Sequence, residues 1–246
     1  MRLSRKWTHL LAIAGLAANV SIACADQPHI NWSGLYFGGN VGWAGSAYKG
    51  DYVTSSTINH HNASGNSGAF GVTAGLQHQW GHFVLGAEAN VTWLGSDARR
   101  GGGTTDCLAV LPTTTACHAK SDTLFTIGPR LGFAPTNQML LFIAGGYATG
   151  NIKTKATNNG ATIGTSSLGH SGTFIGGGVE YAATSNWVLG LEYQHVALKS
   201  GRHFDDLFGG CCNVTPETRD MKADFDVVRL RATYKFNWGV APTPLK

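Results

Sequence analysis

The sequence predicts an all-β chain, an eight-stranded antiparallel up-and-down transmembrane β-barrel, on three observations. Eight segments alternate apolar and polar residues with period two, the links between them alternate strictly between short and long, and aromatics gather beside the short links. A soluble sandwich would use such alternation to bury its apolar faces. Eight apolar faces with little else in the chain to cover them must face lipid instead.

The segments run roughly Ser33 to Ala47, Ala69 to Trp80, Phe83 to Gly95, Asp122 to Ala134, Met139 to Thr149, Gly172 to Ala183, Trp187 to Lys199 and Asp224 to Trp238. In the third, Phe83, Leu85, Ala87, Ala89, Val91 and Trp93 alternate with Val84, Gly86, Glu88, Asn90 and Thr92. In the fourth, Phe125, Ile127, Leu131 and Phe133 alternate with Thr126, Gly128, Arg130 and Gly132. The fifth, MLLFIAGGYATG, is too continuously apolar to phase, so its faces stay open. The seventh sets Trp187, Leu189, Leu191 and Tyr193 against Gly190, Glu192 and Gln194. In the eighth, Val228, Leu230, Ala232, Tyr234 and Phe236 oppose Val227, Arg229, Arg231, Thr233 and Lys235. None sustains the three-and-four spacing of a helix.

Gly81-His82, Pro135 to Gln138 and Thr184 to Asn186 are the short links; Gly45 to Gly68, Ser96 to Ser121, Gly150 to Ser171 and Ser200 to Ala223 are the long ones. Short links mark the periplasmic end of an outer-membrane barrel and long links its external end. Trp32, Trp80, Phe83, Phe133, Tyr181, Trp187, Phe236 and Trp238 fall at the short-link end, and Trp43, Trp93 and Tyr147 at the other. Such rings prefer the headgroup region, so these residues are expected as membrane-interface aromatics.

Residues 1–25 read as a secretory signal peptide, with Arg2, Arg5 and Lys6, an apolar run from Leu10 to Val20, and Ala23-Cys24-Ala25 before Asp26. The barrel domain then spans 26–246. Its 221 residues keep 15 of the 18 basic side chains against 14 acidic ones, a near-neutral balance that argues against a nucleic-acid partner. The apolar run is too short for a spanning helix and no other stretch is long enough. With 13% charged residues and 34 glycines, the composition suits a barrel that is polar on one face and apolar on the other.

The inward face carries Glu88, Glu180 and Glu192 with Arg130, Arg229, Arg231 and Lys235. Eight strands enclose a lumen only just wide enough for side chains, so these charges are expected to pair. Glu192 and Arg231 lie on neighbouring antiparallel segments and are predicted to meet. Paired, they form either a plug that closes the barrel and fixes its register or a gate on a narrow solute path. Gly71, Gly75, Gly145-Gly146 and Gly176-Gly177-Gly178 precede no helix and do not make a phosphate cradle; inward glycines make room for Arg and Glu.

The opening NWSGLYFGGNVGWAG, the pair GGGVEYAATSNWVLGLEYQHVAL and the closing VVRLRATYKFNWG resemble the small outer-membrane immunogenic β-barrel proteins of alphaproteobacteria, a porin-like surface-antigen family related to OmpA-type membrane domains. The resemblance covers nearly all of the chain after the signal and implies a surface-exposed barrel in the bacterial outer membrane without enzymatic activity. It also implies outer-membrane lipid and the barrel-assembly machinery as partners. This chain ends in APTPLK, so Phe236 takes the place of the terminal aromatic of the assembly signal, and Arg231 stands where that signal has Gly.

Cys107, Cys117, Cys211 and Cys212 lie in predicted external loops, an oxidising setting. Four cysteines allow three connectivities; Cys107 with Cys117 closes a small loop and leaves Cys211-Cys212 as a strained vicinal bridge or free thiols, and bridges between the second and fourth loops come next. Asp106, His118 and His203 match no standard zinc spacing, so neither a metal nor a cofactor is expected. His195 with Glu192 or Ser200, and His78 with His82, sit in no nucleophile motif; an outward His195 reads as an interface residue, and the chain is read as no enzyme. The loops, with Asn59-His60-His61-Asn62 in the first, are candidates to bind a host or surface ligand. The Gly-rich stretch KATNNGATIGTSSLGHSG is expected to be mobile.

Overall fold

The computed structural model describes residues 30–54, 57–100, 115–158, 161–203 and 219–236. Eight strands form one closed antiparallel barrel: β1 (Gly34–Thr54), β2 (Thr57–Trp80), β3 (Phe83–Arg100), β4 (Thr115–Phe133), β5 (Met139–Asn158), β6 (Ala161–Ala182), β7 (Trp187–His203) and β8 (Arg219–Phe236). Each pairs with its neighbour in sequence, and β8 closes on β1 through Leu35 opposite Phe236 up to Tyr52 opposite Arg219. Closure leaves no strand edge to be satisfied by lipid, which cannot hydrogen-bond.

The alternation sorts as lipid exposure requires. Leu35, Phe37, Val41, Phe70, Leu76, Leu85, Ile127, Leu131, Leu189, Leu191 and Leu230 all point outward. The fifth strand, unphased in sequence, sends Leu141, Ile143 and Tyr147 outward and Leu140, Phe142, Ala144 and Ala148 inward. Phe83 and Trp93 mark the two aromatic rims on β3; ten residues of about 3.3 Å, tilted by about 40°, rise about 25 Å, the height of an outer-membrane apolar band. Phe70 stacks on Trp93 at one rim, while Trp187, Tyr234 and Phe236 pack edge-to-face at the other.

Short turns close the periplasmic end. Gly81 takes φ +58°, a left-handed conformation that glycine adopts without strain, and the turn is tied to its neighbour by Ala134 N donating to His82 O at 2.7 Å. The backbone amide of Trp187 donates to Thr184 Oγ1 at 2.9 Å.

The external ends differ from the expectation of long loops. The β1–β2 ladder runs to Thr54 opposite Thr57, and the β5–β6 ladder to Asn158 opposite Ala161. The stretch expected to be mobile is therefore largely strand, with only 159–160 of it outside the described residues. Above the membrane the outward residues of the sequence are polar as well, the apolar alternation stops, and such strands look like loops in sequence. Register shifts at Trp93/Ser96, Ser121/Leu124 and Leu198/Gly201 fall just beyond the upper aromatic rim, where bulges bend a wall leaving the membrane.

Candidate functional site: the lumen

Counting down β1 by twos from Asn40 gives Gly38, Tyr36, Gly34 and Trp32, the side that faces the lumen. Trp32 is accordingly fully buried at the periplasmic mouth, not at the lipid interface as the aromatic pattern suggested. Its parity with Tyr36 decides this: nearness to a strand end does not choose a face. Gln77 Nε2 donates to Trp32 O at 2.8 Å, and the Trp32 amide donates to Gln79 Oε1 at the same distance. Trp32 packs with Ile30, Val84, Ala134, Leu140, Ala182 and Val188 as an apolar plug. Trp80, Phe83, Phe133, Tyr181, Trp187 and Phe236 do face outward, and Trp238 lies outside the described residues.

Above this plug lies a layer of ions. Strands β3, β6 and β7 supply Glu88, Glu180 and Glu192; β4 supplies Arg130 and β8 supplies Arg229 and Arg231, all almost wholly buried. The Arg231 guanidinium sits among all three carboxylates: 2.6 Å from Glu88, 2.7 Å from Glu192 and 3.3 Å from Glu180. Arg229 forks onto Glu192 with contacts of 2.7 and 3.1 Å and donates to Thr92 Oγ1 at 3.3 Å. Arg130 stands 2.5 Å from Glu180 and 3.2 Å from Glu88. Three carboxylates thus meet three guanidiniums, so the layer is neutral as a unit. The direct register partner of Glu192 is Arg229, while Arg231 lies opposite Gly190 and reaches Glu192 along its own length.

The sequence reading missed two members. Tyr36 OH donates to Glu88 Oε2 at 2.7 Å and lies 3.1 Å from Arg130 Nη1. Phe142 lies under the Arg130 guanidinium, 3.9 Å from ring centroid to the central carbon. Tyr36 was legible from the outward parity of Leu35 and Phe37; Phe142 was hidden by the unphased fifth segment. The lumen wall is thinned to fit: a Cβ on Gly190 would lie 2.8 Å from Arg231 Cγ and 2.9 Å from Glu180 Cγ, and one on Gly75 would meet the Tyr36 ring at 2.3 Å.

Lys235 stands apart from the ion layer. Its ammonium donates to the carbonyl of Asn31 and hangs over the Trp32 ring. Trp32, Tyr36, Gln77, Arg130, Glu180, Val188, Thr233 and Lys235 line an internal cavity of about 10 Å³, room for one water. Toward the outside a second apolar cluster covers the ions, built from Tyr48, Leu94, Leu124, Ile152, Phe174, Val196, Leu198, Phe225 and smaller neighbours. The lumen is therefore stacked as apolar plug, ion layer, apolar plug, and the described residues hold no cluster of three or more His, Cys, Asp and Glu placed to bind a metal ion.

The remaining sequence candidates sort by face. Glu192 is buried inside while His195 looks outward, so the two do not form a pair; His195 Nδ1 lies 2.8 Å from Asp226, which also accepts from Tyr193 OH at 2.6 Å. His78 contacts Trp80 on the outer surface, and His82 Nδ1 lies 2.8 Å from Ala134 O in the turn. Beyond the upper aromatic rim Lys153 and Lys120 lie 2.5 and 2.9 Å from Asp122, and their hydrogen bonds hold its carboxyl below the usual carboxylate range. Residues 1–25, Asp106, Cys107, Cys211 and Cys212 lie outside the described residues, as do the side chains of Cys117, His118, Ser200 and His203.

A closed eight-strand wall with a lipid-facing band and a packed interior is the architecture of outer-membrane barrels, and residues 10–238 match the outer membrane protein beta-barrel domain. The chain belongs to that family. It is a bacterial outer-membrane protein. It is 26% identical to the 31 kDa outer-membrane immunogenic protein of Brucella melitensis, over 92% of this chain and 95% of that one, and equally to its counterpart in Brucella suis. The fold is also similar to that of the outer membrane protease OmpT of Escherichia coli, with a TM-score of 0.50 at 8% identity over 82% of this chain and 97% of the other.

Proposed function

We propose that this barrel is a closed, non-catalytic wall element of the outer membrane, which supports envelope integrity and holds its external segments at the cell surface. The observation that carries the reading is the neutral ion layer sealed between two apolar plugs. An ion or solute crossing the lumen would have to displace Trp32 and Phe225, both fully buried, and break charge pairs that are themselves almost wholly buried. Assembly engages the barrel-insertion machinery through Phe236, and lipid solvates the outer face.

Planar-bilayer recording at high protein density tests the closed wall against a narrow porin. Silence is expected. Discrete conductance steps that change size in Glu192→Gln would establish a porin whose gate is the ion layer.

A second reading, recognition of a host or surface ligand, draws support from the β1–β2 and β5–β6 ladders, which continue well past the membrane. Shortening both hairpins to the level of Gly45 and Gly150 tests it. Unchanged cell adhesion with an intact envelope would leave only the structural role.

A further inference from the structure

One ladder of the wall is interrupted inside the membrane. Between β4 and β5 the register passes from Ile127 opposite Tyr147 to Arg130 opposite Ala144, and Gly128 and Pro129 have no ladder partner on β5. The alignment is the same on both sides of the gap, so no residue is inserted and the gap is not a bulge. Its cause is Pro129, which has no amide to give to a ladder and is out of place inside a sheet. The other edge of β4 is intact, with Ala87 opposite Pro129 and Glu88 opposite Gly128. Among the described residues every other ladder runs unbroken between the aromatic rims.

Side chains do little to close this gap. By the same register Pro129 falls opposite Gly145 and Gly128 opposite Gly146, so three of the four residues have nothing to pack across it. Lipid cannot replace the missing bond. The gap stands at the height of the ion layer, because the next residue on β4 is Arg130. Most strands, parted there, would turn a polar inner face to the hydrocarbon. β5 differs: Leu140, Phe142, Ala144 and Ala148 make its inner face apolar, and its ladder to β6 is continuous from Met139 opposite Tyr181 to Gly150 opposite His170. It can therefore swing on β6 and meet lipid without carrying a charge into it. One side chain of β4 holds it shut. The Arg130 guanidinium lies 3.9 Å from the Phe142 ring centroid on β5 and 2.5 Å from Glu180 on β6, and so reaches across the gap to both strands beyond it.

We infer that the β4–β5 seam is a lateral gate latched by Arg130, which opens locally and admits a hydrocarbon chain from the bilayer to the inner face of β5. A wall opens first where its bonds are fewest, and here the bonds that are missing coincide with the one strand that lipid can solvate on both faces. Such a gate goes beyond the closed wall proposed above, whose axial seal it leaves intact.

Photo-cross-linking of the whole barrel in vesicles of a phospholipid that carries a diazirine halfway along one acyl chain tests this, with the labelled residues mapped by mass spectrometry. Labels are expected on outward residues of all eight strands and, inside, on Phe142 and Ala144, roughly fivefold above inward residues of other strands such as Thr233 and Gln194. Pro129→Ala restores an amide to the ladder and is expected to lower the inward labels by roughly fivefold while the outward labels stay as they are. Phe142→Leu removes the stack under Arg130 without unpairing a charge and is expected to raise the label on Ala144 by roughly twofold. Heat-modifiable gel migration verifies that each variant is folded, and Pro129→Val, also apolar and able to donate, replaces Pro129→Ala if that variant is not. Labels confined to outward residues, labels spread equally over all inward residues, or inward labels that persist in a folded variant with the amide restored overturn the gate. An unchanged Ala144 label in Phe142→Leu overturns Arg130 as its latch.

Discussion

The middle of the lumen and its periplasmic end solve the same problem by opposite chemistry. Both must fill a space too narrow for solvent. The end does it with Trp32 and aliphatic neighbours; the middle does it with six ionised side chains and a tyrosine. An apolar plug tolerates the loss of a side chain in proportion to the volume removed, because its contacts are many and weak. An ion layer does not degrade in proportion. Removing one partner strands the others, so its members succeed or fail together.

The largest effect that distinguishes the two regions is expected from Arg231→Ala. It leaves Glu88, Glu180 and Glu192 to two guanidiniums and costs about 3–5 kcal/mol, read as a shift in the urea midpoint of the barrel refolded in lipid vesicles. The paired change Arg229→Met with Glu192→Leu is expected to cost less than Glu192→Leu with Arg229 kept, and a simple sum of the single costs would mean that the layer is not cooperative. Trp32→Ala follows at about 3 kcal/mol from cavity formation, with no charge left unpaired. If it cost more than Arg231→Ala, the ranking of the two regions would be reversed. Gly190→Ala brings a methyl against Arg231 Cγ and Glu180 Cγ and is expected to cost about 1–3 kcal/mol by overpacking. A neutral result in the same unfolding assay would show the layer to be more compliant than its contacts suggest. The smallest effect, about 0.5–1.5 kcal/mol, is expected for Tyr193→Phe, which deletes one hydrogen bond to Asp226 on the outer surface. This last variant is the control for residues that belong to neither region.

How much of this was legible in the sequence depends on what each residue faces. Where the outside is lipid and the inside polar, as along Phe83 to Trp93, alternation alone assigns every side chain. Glu88, Arg130, Glu180, Glu192, Arg229 and Arg231 were legible for the same reason. On β5 both faces are apolar, since Leu140 and Phe142 line the lumen while Leu141 and Ile143 meet lipid, and the contrast on which alternation depends disappears. Past the membrane the outward residues turn polar, so β1 beyond Ala47 and β6 before Gly172 read as loops although their ladders continue. Trp32 was misplaced because its position at a strand end was weighed above its parity.

The ion layer also has a history within each molecule. Arg231 belongs to the last strand, and its partners lie 39 residues back at Glu192 and 143 back at Glu88. Until β8 docks, the layer holds three carboxylates and the single guanidinium of Arg130, an excess of two negative charges in a closing cavity. Arg229 and Arg231 arrive together and cancel that excess in the step that joins β8 to β1. Contacts so distant in sequence form late. A barrel that has lost or misregistered its final strand therefore retains the charge imbalance, and the neutral layer doubles as a proofreading device that rewards completed closure.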